Sequence, residues 1–426
     1  MLDLPDKLEL NGADYFHLLL ERINRSNPTS NNVVRMLISI ENESKLQEIV
    51  DRIESSEVVK WIANLELKKP VFSRAHWSLG NNSYEIKVKR HDSITWQNIF
   101  SIPITLNSDH LIRFDTIKTD GKIKLLFSWH HILMDGRGAG LLMQYLSENT
   151  KKEIVKPSLL YQHPQNKTSF LSKFRRMFDV KHFVEDMLKE SMQSPTVKNN
   201  DSSGFHHLVV ALNNEETNAI EVNAKASGSK FGSNIFQLAC CFSTISEISN
   251  NDKKIWVPVP YDGRKRGSRG PIIGNHISFL FYKISPEEND SIESIVQSLN
   301  QQMSDQIKRE IPVKYNDMLT VMRDFPIQFY QWATTRSGKG RVSSFLYSSS
   351  GEGVWDTNRL NKSFKDILLI PPFSNDPGIT FTFSRFNNQL KINIIACKKK
   401  FDEKEVSLIK ETLMSKLLVS KNAKRT

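Results

Sequence analysis

Apolar residues follow two different periods along this chain, one typical of strands and one typical of helices. The β-prone run Val33–Ile40 predicts a strand. Directly after it, Leu46, Ile49, Val50 and Ile53 recur at the spacing of an amphipathic helix. The first half of the chain is therefore predicted to open with a strand followed by a helix.

The second half ends in a hairpin pattern and a helix. Apolar residues alternate with Thr and Ser over residues 379–384, Asn387-Asn388 supplies a turn, and alternation resumes over 390–394. A helix is then expected to begin at Asp402, with Glu405 in the capping-box position. Since strand and helix signals alternate in both halves, the fold class is predicted to be α/β or α+β.

The composition changes between the two halves. Pro157, Pro164, Pro195 and the polar run 198–203 are typical of connecting segments. We place a crossover at residues 151–205 on this basis.

This crossover divides the chain into a first subdomain at 1–150 and a second at 206–426. It contains one helical pattern, from 170 to 192, in which apolar and basic residues are mixed. Such a helix can lie at a membrane interface or pack on the protein. The packed arrangement is favoured, because apolar stripes at helical spacing usually face a core.

The overall composition agrees with a protein that has two hydrophobic cores. The chain has 426 residues, of which 39% are hydrophobic, and no run approaches the ~20 apolar residues of a membrane span. The N-terminus does not resemble a signal peptide, which predicts a cytoplasmic protein. Cys240, Cys241 and Cys397 have neither disulfide nor metal-ligand spacing and are expected to be reduced core residues. A net charge of +11 is compatible with nucleic acid, an anionic membrane or coenzyme A, but the basic residues are spread along the chain.

Candidate chemistry lies where the β-prone run 122–129 ends in His130-His131, four residues before Asp135-Gly136. Successive side chains on a strand face opposite sides, so one histidine is expected to be structural and the other free to act. A free imidazole can take a proton near neutral pH. The pair His206-His207 has no Asp-Gly at that spacing, and we interpret it as incidental.

The run His130-His131-Ile132-Leu133-Met134-Asp135-Gly136 resembles the signature of the chloramphenicol acetyltransferase-like superfamily, which includes condensation domains, wax ester synthase/diacylglycerol acyltransferases and plant-type acyltransferases. The resemblance implies two acetyltransferase-like subdomains, each a mixed sheet flanked by helices, which form a pseudo-dimer with a central tunnel. It also implies that His131 is the catalytic base, with His130 in support. Asp135 and Gly136 complete the candidate catalytic set: Asp135 would pair with an arginine and, together with Gly136, shape the loop.

Two later segments extend the resemblance. Residues 257–264 followed by Gly274-Asn275 are similar to wax ester synthase-like members, which makes Arg264 the candidate partner of Asp135. The segment 343–351 is a looser match. The candidate substrate-binding residues are Asn275, His276, Ser278 and Ser348. Ser348 and backbone N–H groups around Gly136 are the candidate oxyanion donors.

The resemblance further implies direct acyl transfer from a thioester to a hydroxyl group of a hydrophobic or lipid-like acceptor. No tightly bound cofactor is expected; coenzyme A or a phosphopantetheine thioester on an acyl carrier protein would be the co-substrate. The basic residues Lys265, Arg266 and Arg269 are candidates for contacting its phosphates or an acidic carrier surface. Peripheral membrane contact remains open, and no nucleic-acid partner is expected.

Several alternatives stay open. His131 can be a core histidine, and Asp135 can be only the N-cap of the next helix. A metal site of His130, His131 and Asp135 is disfavoured because the run does not form a continuous helix. A nucleophilic serine is also disfavoured, because no Gly-x-Ser-x-Gly occurs. The protein can instead form an amide from carrier-bound substrates, or keep the fold without catalysis; the absence of a fused carrier or adenylation region favours a free-standing ester-forming enzyme.

Overall fold

The protein is described from a computed structural model. It describes residues 5–24, 31–69, 74–80, 85–92, 96–99, 102–108, 110–119, 122–147, 160–161, 169–188, 192–198, 202–249, 253–265, 267–268, 270–288, 291–337, 343–350 and 363–419. The helices are α1 Gly12–Asn24, α2 Glu43–Ser55, α3 Glu57–Ala63, α4 Trp96–Ile99, α5 Gly136–Ser147, α6 Phe170–Leu188, α7 Asn214–Ala226, α8 Ser233–Ser249, α9 Ile292–Lys308, α10 Ile311–Met322, α11 Ile327–Ser337 and α12 Glu403–Leu418. The strands are β1 Lys7–Glu9, β2 Val33–Ile40, β3 Leu65–Lys68, β4 His76–Leu79, β5 Lys89–Asp92, β6 Ile112–Thr119, β7 Lys122–His130, β8 Phe205–Ala211, β9 Ile255–Asp262, β10 Ile277–Ile284, β11 Leu346–Ser350, β12 Phe364–Ile370, β13 Ile379–Phe386 and β14 Gln389–Cys397.

A five-stranded mixed sheet organises the first half. Its order is β12-β2-β7-β6-β5, and all neighbours are antiparallel except the parallel pair β5–β6. Strand β2 is buried along almost its whole length. Its Met36 and Ile38 pack into a core shared with α2 and α5, while Leu37, on the opposite face, packs against the second sheet.

A four-stranded mixed sheet organises the second half, in the order β11-β13-β14-β8. The predicted hairpin is its centre: β13 and β14 pair antiparallel, and Asn387 and Asn388 turn the chain with φ angles of 49° and 61°. Both residues are therefore left-handed, as a tight hairpin turn requires. Helix α12 covers this sheet, and Asp402 and Glu405 form the expected capping box at its start. Two smaller sheets, β1-β4-β3 and β10-β9, flank the main ones.

The two main sheets meet along a third apolar cluster. Leu37 and Leu126 of the first sheet pack there with Ile395 of the second. Beside them, the Asn393 side chain donates a hydrogen bond of 2.9 Å to the carbonyl oxygen of Leu369. The prediction of two mixed sheets flanked by helices, each with its own core, is confirmed.

The chain crosses between the halves more often than the subdomain boundaries suggest. Strand β12, at residues 364–370, lies at the edge of the first sheet, and α10 packs against α1. Most of residues 151–168 lies outside the described part of the chain. The helix predicted over 170–192 ends at Leu188 instead, and Met192 forms a bridge with Lys254. The boundaries 1–150, 151–205 and 206–426 stay predictions.

The remaining expectations from composition concern cysteines and membranes. All three cysteines are buried and free. Burial raises the pKa of the Cys240 and Cys241 thiols, so neither is an activated nucleophile. Helix α6 packs against α10, and Met177 and Phe183 contact the apolar clusters. Among the described residues, no helix is both long and apolar enough to cross a membrane.

Candidate active site

The candidate site is built on the loop that joins β7 to α5. The indole N–H of Trp129 donates to the carbonyl oxygen of Met134 at 2.9 Å, and the Leu133 N–H donates to that of His130 at 3.0 Å. A second attachment comes from the other half of the chain, where the Gly274 N–H donates to Leu133 O at 2.8 Å. The loop is therefore held at both edges, which fixes the position of His131.

Asp135 and Arg264 form the predicted ion pair. The two guanidinium nitrogens Nη1 and Nη2 lie 2.8 and 2.9 Å from the two carboxylate oxygens, and the Arg264 side chain is only 2% exposed. The N–H groups of Gly138 and His276 donate to the same carboxylate at 2.8 and 2.9 Å. Burial acts to raise the pKa of Asp135, but Arg264 and these donors outweigh it and lower the pKa. Asp135 is thus both the N-cap of α5 and a structural anion whose hydrogen bonds go to Arg264, Gly138 and His276 rather than to the His131 ring.

Close backbone packing accompanies this pair. A Cβ atom at Gly138 would lie 2.2 Å from the carbonyl oxygen of Ile272, whereas one at Gly136 would meet Leu369 Cδ2 at 3.3 Å. The stricter requirement for glycine therefore falls on Gly138, two residues beyond the predicted position. This approach lets the loop around Ile272 come close enough for Arg264 to reach Asp135.

Asn275 is the residue that contacts His131 most directly. Its side-chain Nδ2 donates to Asp14 Oδ1 at 3.0 Å, to His131 O at 2.9 Å and to Ile132 O at 3.3 Å. Because three acceptors surround Nδ2, the amide cannot be flipped without losing all of these bonds. The opposite atom, Oδ1, lies 3.0 Å from His131 Nδ1 and must be the acceptor there.

This geometry determines the tautomer of His131. Since Asn275 Oδ1 can only accept, Nδ1 carries the proton and Nε2 keeps its lone pair. Nε2 makes no hydrogen bond with any described residue. Burial lowers the pKa of His131, although Asp135 and Asn275 oppose this effect. A partly buried, oriented imidazole with a free Nε2 is suited to act as a general base.

Helix α1 contributes two residues that the sequence did not single out, Asp14 and His17. Asp14 also accepts from the Asn275 N–H at 2.6 Å, and burial raises the pKa of Asp14 to about 7 against these bonds. The His17 ring stacks on the His131 ring, with centroids 4.0 Å apart and planes 22° apart. The pair Asn11–Asp14 could have indicated a helix start, but nothing in the sequence shows its reach to Asn275.

His130 is the last residue of β7 and is fully buried. Its Nδ1 accepts the N–H of Ile132 at 3.3 Å, and its Nε2 lies 3.3 Å from Glu21 Oε2. The two histidines thus have separate surroundings, as the strand alternation predicts.

The other candidate residues have diverse positions. The ring Nε2 of His276 lies 3.2 Å from Ile273 O, and burial lowers its pKa. Ser278 is 3% exposed and donates to Pro312 O at 2.5 Å. Ser348 is half-buried on β11, opposite Thr382. Lys265 is exposed, and Arg266 and Arg269 lie outside the described residues. Substrate contacts of these residues stay predictions.

Nothing in the arrangement resembles a metal centre. Asp135 is saturated by Arg264 and backbone donors, and His130 and His131 face different neighbours. Within the described ranges, no group of three or more His, Cys, Asp or Glu side chains is placed to hold a metal ion.

Comparison with protein families places the chain in a class. Residues 81–323, more than half of the chain, match the condensation domain family model. The chain belongs to the condensation domain family, which supports acyl transfer or condensation as its general chemistry. Comparison with curated protein sequences finds no significant match.

Solved structures support the same fold. The first condensation domain of the CDA synthetase superposes with a TM-score of 0.71 at 12% identity, covering 97% of this chain and 95% of that one. The TRI3 trichothecene 15-O-acetyltransferase from Fusarium sporotrichioides has a TM-score of 0.69 at 14% identity, with 97% and 94% covered. Polyketide synthase associated protein 5 from Mycobacterium tuberculosis has a TM-score of 0.60 at 13% identity, with 90% and 94% covered. The resemblance to the acetyltransferase-like superfamily is confirmed, while a particular kinship with wax ester synthases stays a prediction.

Proposed function

We propose that this protein transfers an acyl group from a thioester to the hydroxyl group of an apolar acceptor, with His131 as general base. The observation that carries the proposal is the His131–Asn275 contact. It leaves Nε2 unprotonated and holds the ring by an amide that is itself fixed by three acceptors. Because His207 makes a similar contact with Asn393, the proposal also rests on the position of His131 in the β7–α5 loop, where Nε2 has no hydrogen-bond partner among the described residues.

The reaction follows from this arrangement. Nε2 of His131 removes the proton of the acceptor hydroxyl as the oxygen attacks the thioester carbonyl carbon. The tetrahedral oxyanion then collapses, the carbon–sulfur bond breaks, and the leaving thiolate takes the proton back from His131. The products are an ester and a free thiol, and no covalent enzyme intermediate is needed.

The oxyanion needs hydrogen-bond donors. The Gly138 N–H is already used by Asp135, which leaves the N–H groups of Gly136 and Arg137 as the candidates at the start of α5. Ser348 is a second candidate from the other half of the chain. In this proposal Asp135 and Arg264 act by holding the first turn of α5 in place.

The donor is proposed to be acyl-coenzyme A or an acyl carrier protein, which carry the same phosphopantetheine thioester. The second candidate function is amide formation, which the match to the condensation domain family favours. Both functions use the same base, because an amine or a hydroxyl group loses its proton to Nε2 in the same step. Only the acceptor distinguishes them.

The test is an acceptor-dependent thiol-release assay. The full chain is incubated with acetyl-, octanoyl- or palmitoyl-coenzyme A and a panel of matched alcohols and amines, such as hexadecanol and hexadecylamine. Free thiol is followed with a chromogenic disulfide, and the products are identified by mass spectrometry. The variants are His131→Ala and, as the matched control, His207→Ala.

We expect thiol release that depends on the acceptor, yields an ester, and falls about 10²–10⁴-fold in His131→Ala but not in His207→Ala. Equal rates in wild type and His131→Ala would refute the general base. Products formed only from amines would replace ester formation by condensation. The absence of acceptor-dependent release with every pair would contradict transfer from coenzyme A and leave carrier-bound donors for the same assay.

A further inference from the structure

The ring of His17 covers one face of the proposed catalytic base. His17 lies on α1, is 5% exposed, and its ring centroid is 4.0 Å from that of His131. The interplanar angle of 22° makes this a stacked contact rather than an edge contact. Asn275 holds the edge of the His131 ring at Nδ1, while His17 holds its face. These two contacts together restrict both the tilt and the rotation of the ring.

We propose that His17 is a positioning residue that stabilises the protonated form of His131 during acyl transfer. The inference rests on the proposed function of His131. A positive charge over the face of an aromatic ring is attracted by its π electrons. When His131 Nε2 takes the acceptor proton, the imidazolium forms directly over the neutral His17 ring.

Its surroundings keep His17 out of the proton transfer. Neither ring nitrogen makes a hydrogen bond of normal geometry with a described residue, and the Asn32 side chain contributes only a weak interaction. Burial, followed by the nearby His131 and His130, lowers the pKa of His17 well below its ordinary value. His17 therefore stays neutral and offers its π face rather than a proton.

The experiment compares two substitutions of similar bulk, one with a π face and one without. His17→Phe keeps an aromatic face but has no ring nitrogen, and His17→Leu has neither. We expect His17→Phe to keep kcat within about three-fold of wild type. His17→Leu should lower kcat roughly ten-fold with little change in KM, because stabilisation is lost only in the transition state.

A second readout does not need turnover. In protein labelled with ring-¹⁵N histidine, the His131 signals are assigned with His131→Gln and titrated. The charged or titratable groups around His131 are Asp135 and His130 on its own segment and His17 on α1, with Asp14 behind Asn275. Loss of the π face should lower the pKa of His131 by about one unit, the same free energy as a ten-fold loss of kcat, in His17→Leu but not in His17→Phe. The acidic limb of the rate profile should move to lower pH by the same amount.

Three results would overturn the proposal. One is wild-type kcat and an unchanged His131 titration in His17→Leu. Another is an equal loss in folded Phe and Leu variants, which would assign the effect to the ring nitrogens. If the larger Phe ring prevents folding, His17→Ala replaces it. In that variant the His131 ring protons should lose the upfield shift that the stacked His17 ring causes. An unchanged chemical shift would refute the stacked contact. If His17→Leu lowers the pKa of His131 as expected but the wild type shows no turnover, only the proposed function is refuted.

Discussion

This protein contains two His-His pairs, His130-His131 at the candidate active site and His206-His207 on β8. In each pair the second histidine lies 3.0 Å from an asparagine Oδ1: His131 from Asn275, and His207 from Asn393. Burial lowers the pKa of both histidines. His207, however, lies within β8 and faces the boundary between the two main sheets, which we call the seam. His131, in contrast, follows the last residue of β7. A buried histidine with an asparagine partner is therefore not by itself a catalytic signature.

The difference lies in what surrounds each pair. Beyond His131 the chain turns, α5 begins, and the Asp135–Arg264 pair fixes the turn. The amide of Asn275 is held by Asp14 as well as by the loop itself, while Asn393 Nδ2 donates to Leu369 O and so joins the two sheets. Asn275 therefore holds the imidazole of His131, whereas Asn393 joins the two sheets. The comparison leads to four predictions.

The largest effect is expected from Arg264→Met. It removes the cation from a buried carboxylate, so we expect a loss of about 3–5 kcal/mol in the free energy of unfolding. Lys45→Met, at the exposed pair with Glu48, should change it by less than about 0.5 kcal/mol. Urea unfolding of both variants measures this. Equal effects would show that the ion pair does not hold the turn that distinguishes His131 from His207.

The next effect is a pH dependence at Asp14. Because its folded pKa is raised to about 7 from 3.8, the folded state retains a proton that the unfolded state has lost between these values. The contribution of Asp14 to the free energy of unfolding is therefore largest below pH 4. It falls by up to roughly 4 kcal/mol as the pH rises to about 7. The stability of wild type relative to Asp14→Asn should therefore fall across pH 4–7 in urea unfolding. A flat difference curve would refute the raised pKa.

Asn275→Ala and Asn393→Ala separate the two asparagines. The first frees the tautomer of His131 and should lower kcat about 10–100-fold. The second removes the bond to Leu369 across the seam; it should lower the free energy of unfolding by about 1–3 kcal/mol and leave kcat within about three-fold. Steady-state kinetics and urea unfolding are measured on both. A larger kinetic loss in Asn393→Ala would reverse the assignment.

The smallest effect is expected from His207→Leu. The change keeps the bulk of the side chain and loses one hydrogen bond to Asn393, at a cost of about 1 kcal/mol. Thermal unfolding should show this shift with unchanged thiol release. Any strong loss of activity would mean that the second pair is not incidental.

Local features of this protein were predictable from its sequence because neighbours in sequence determine them. Strand β2, the hairpin at Asn387-Asn388 and the capping box at Asp402 each depend on residues within a few positions. The separation of His130 from His131 also follows from strand alternation. The Asp135–Arg264 pair joins residues 129 positions apart and was anticipated only through the family resemblance.

Other features depend on contacts that no local pattern encodes. Strand β12 lies in the sheet of the other half, and the glycine requirement falls on Gly138 because Ile272 approaches it. Ser278 is a polar residue of the kind found in binding sites, but its hydroxyl group donates a hydrogen bond to the carbonyl oxygen of Pro312.

The sequence by itself determined the class of elements and the family, and it indicated His131 as the candidate base, because periodicity, caps and a short motif are local properties. Tertiary structure alone decided which ring nitrogen of His131 carries the proton and which residues hold the ring in place. Asn275, Asp14 and His17 come from segments separated by up to 261 residues, and they meet at His131 only after both halves have packed together.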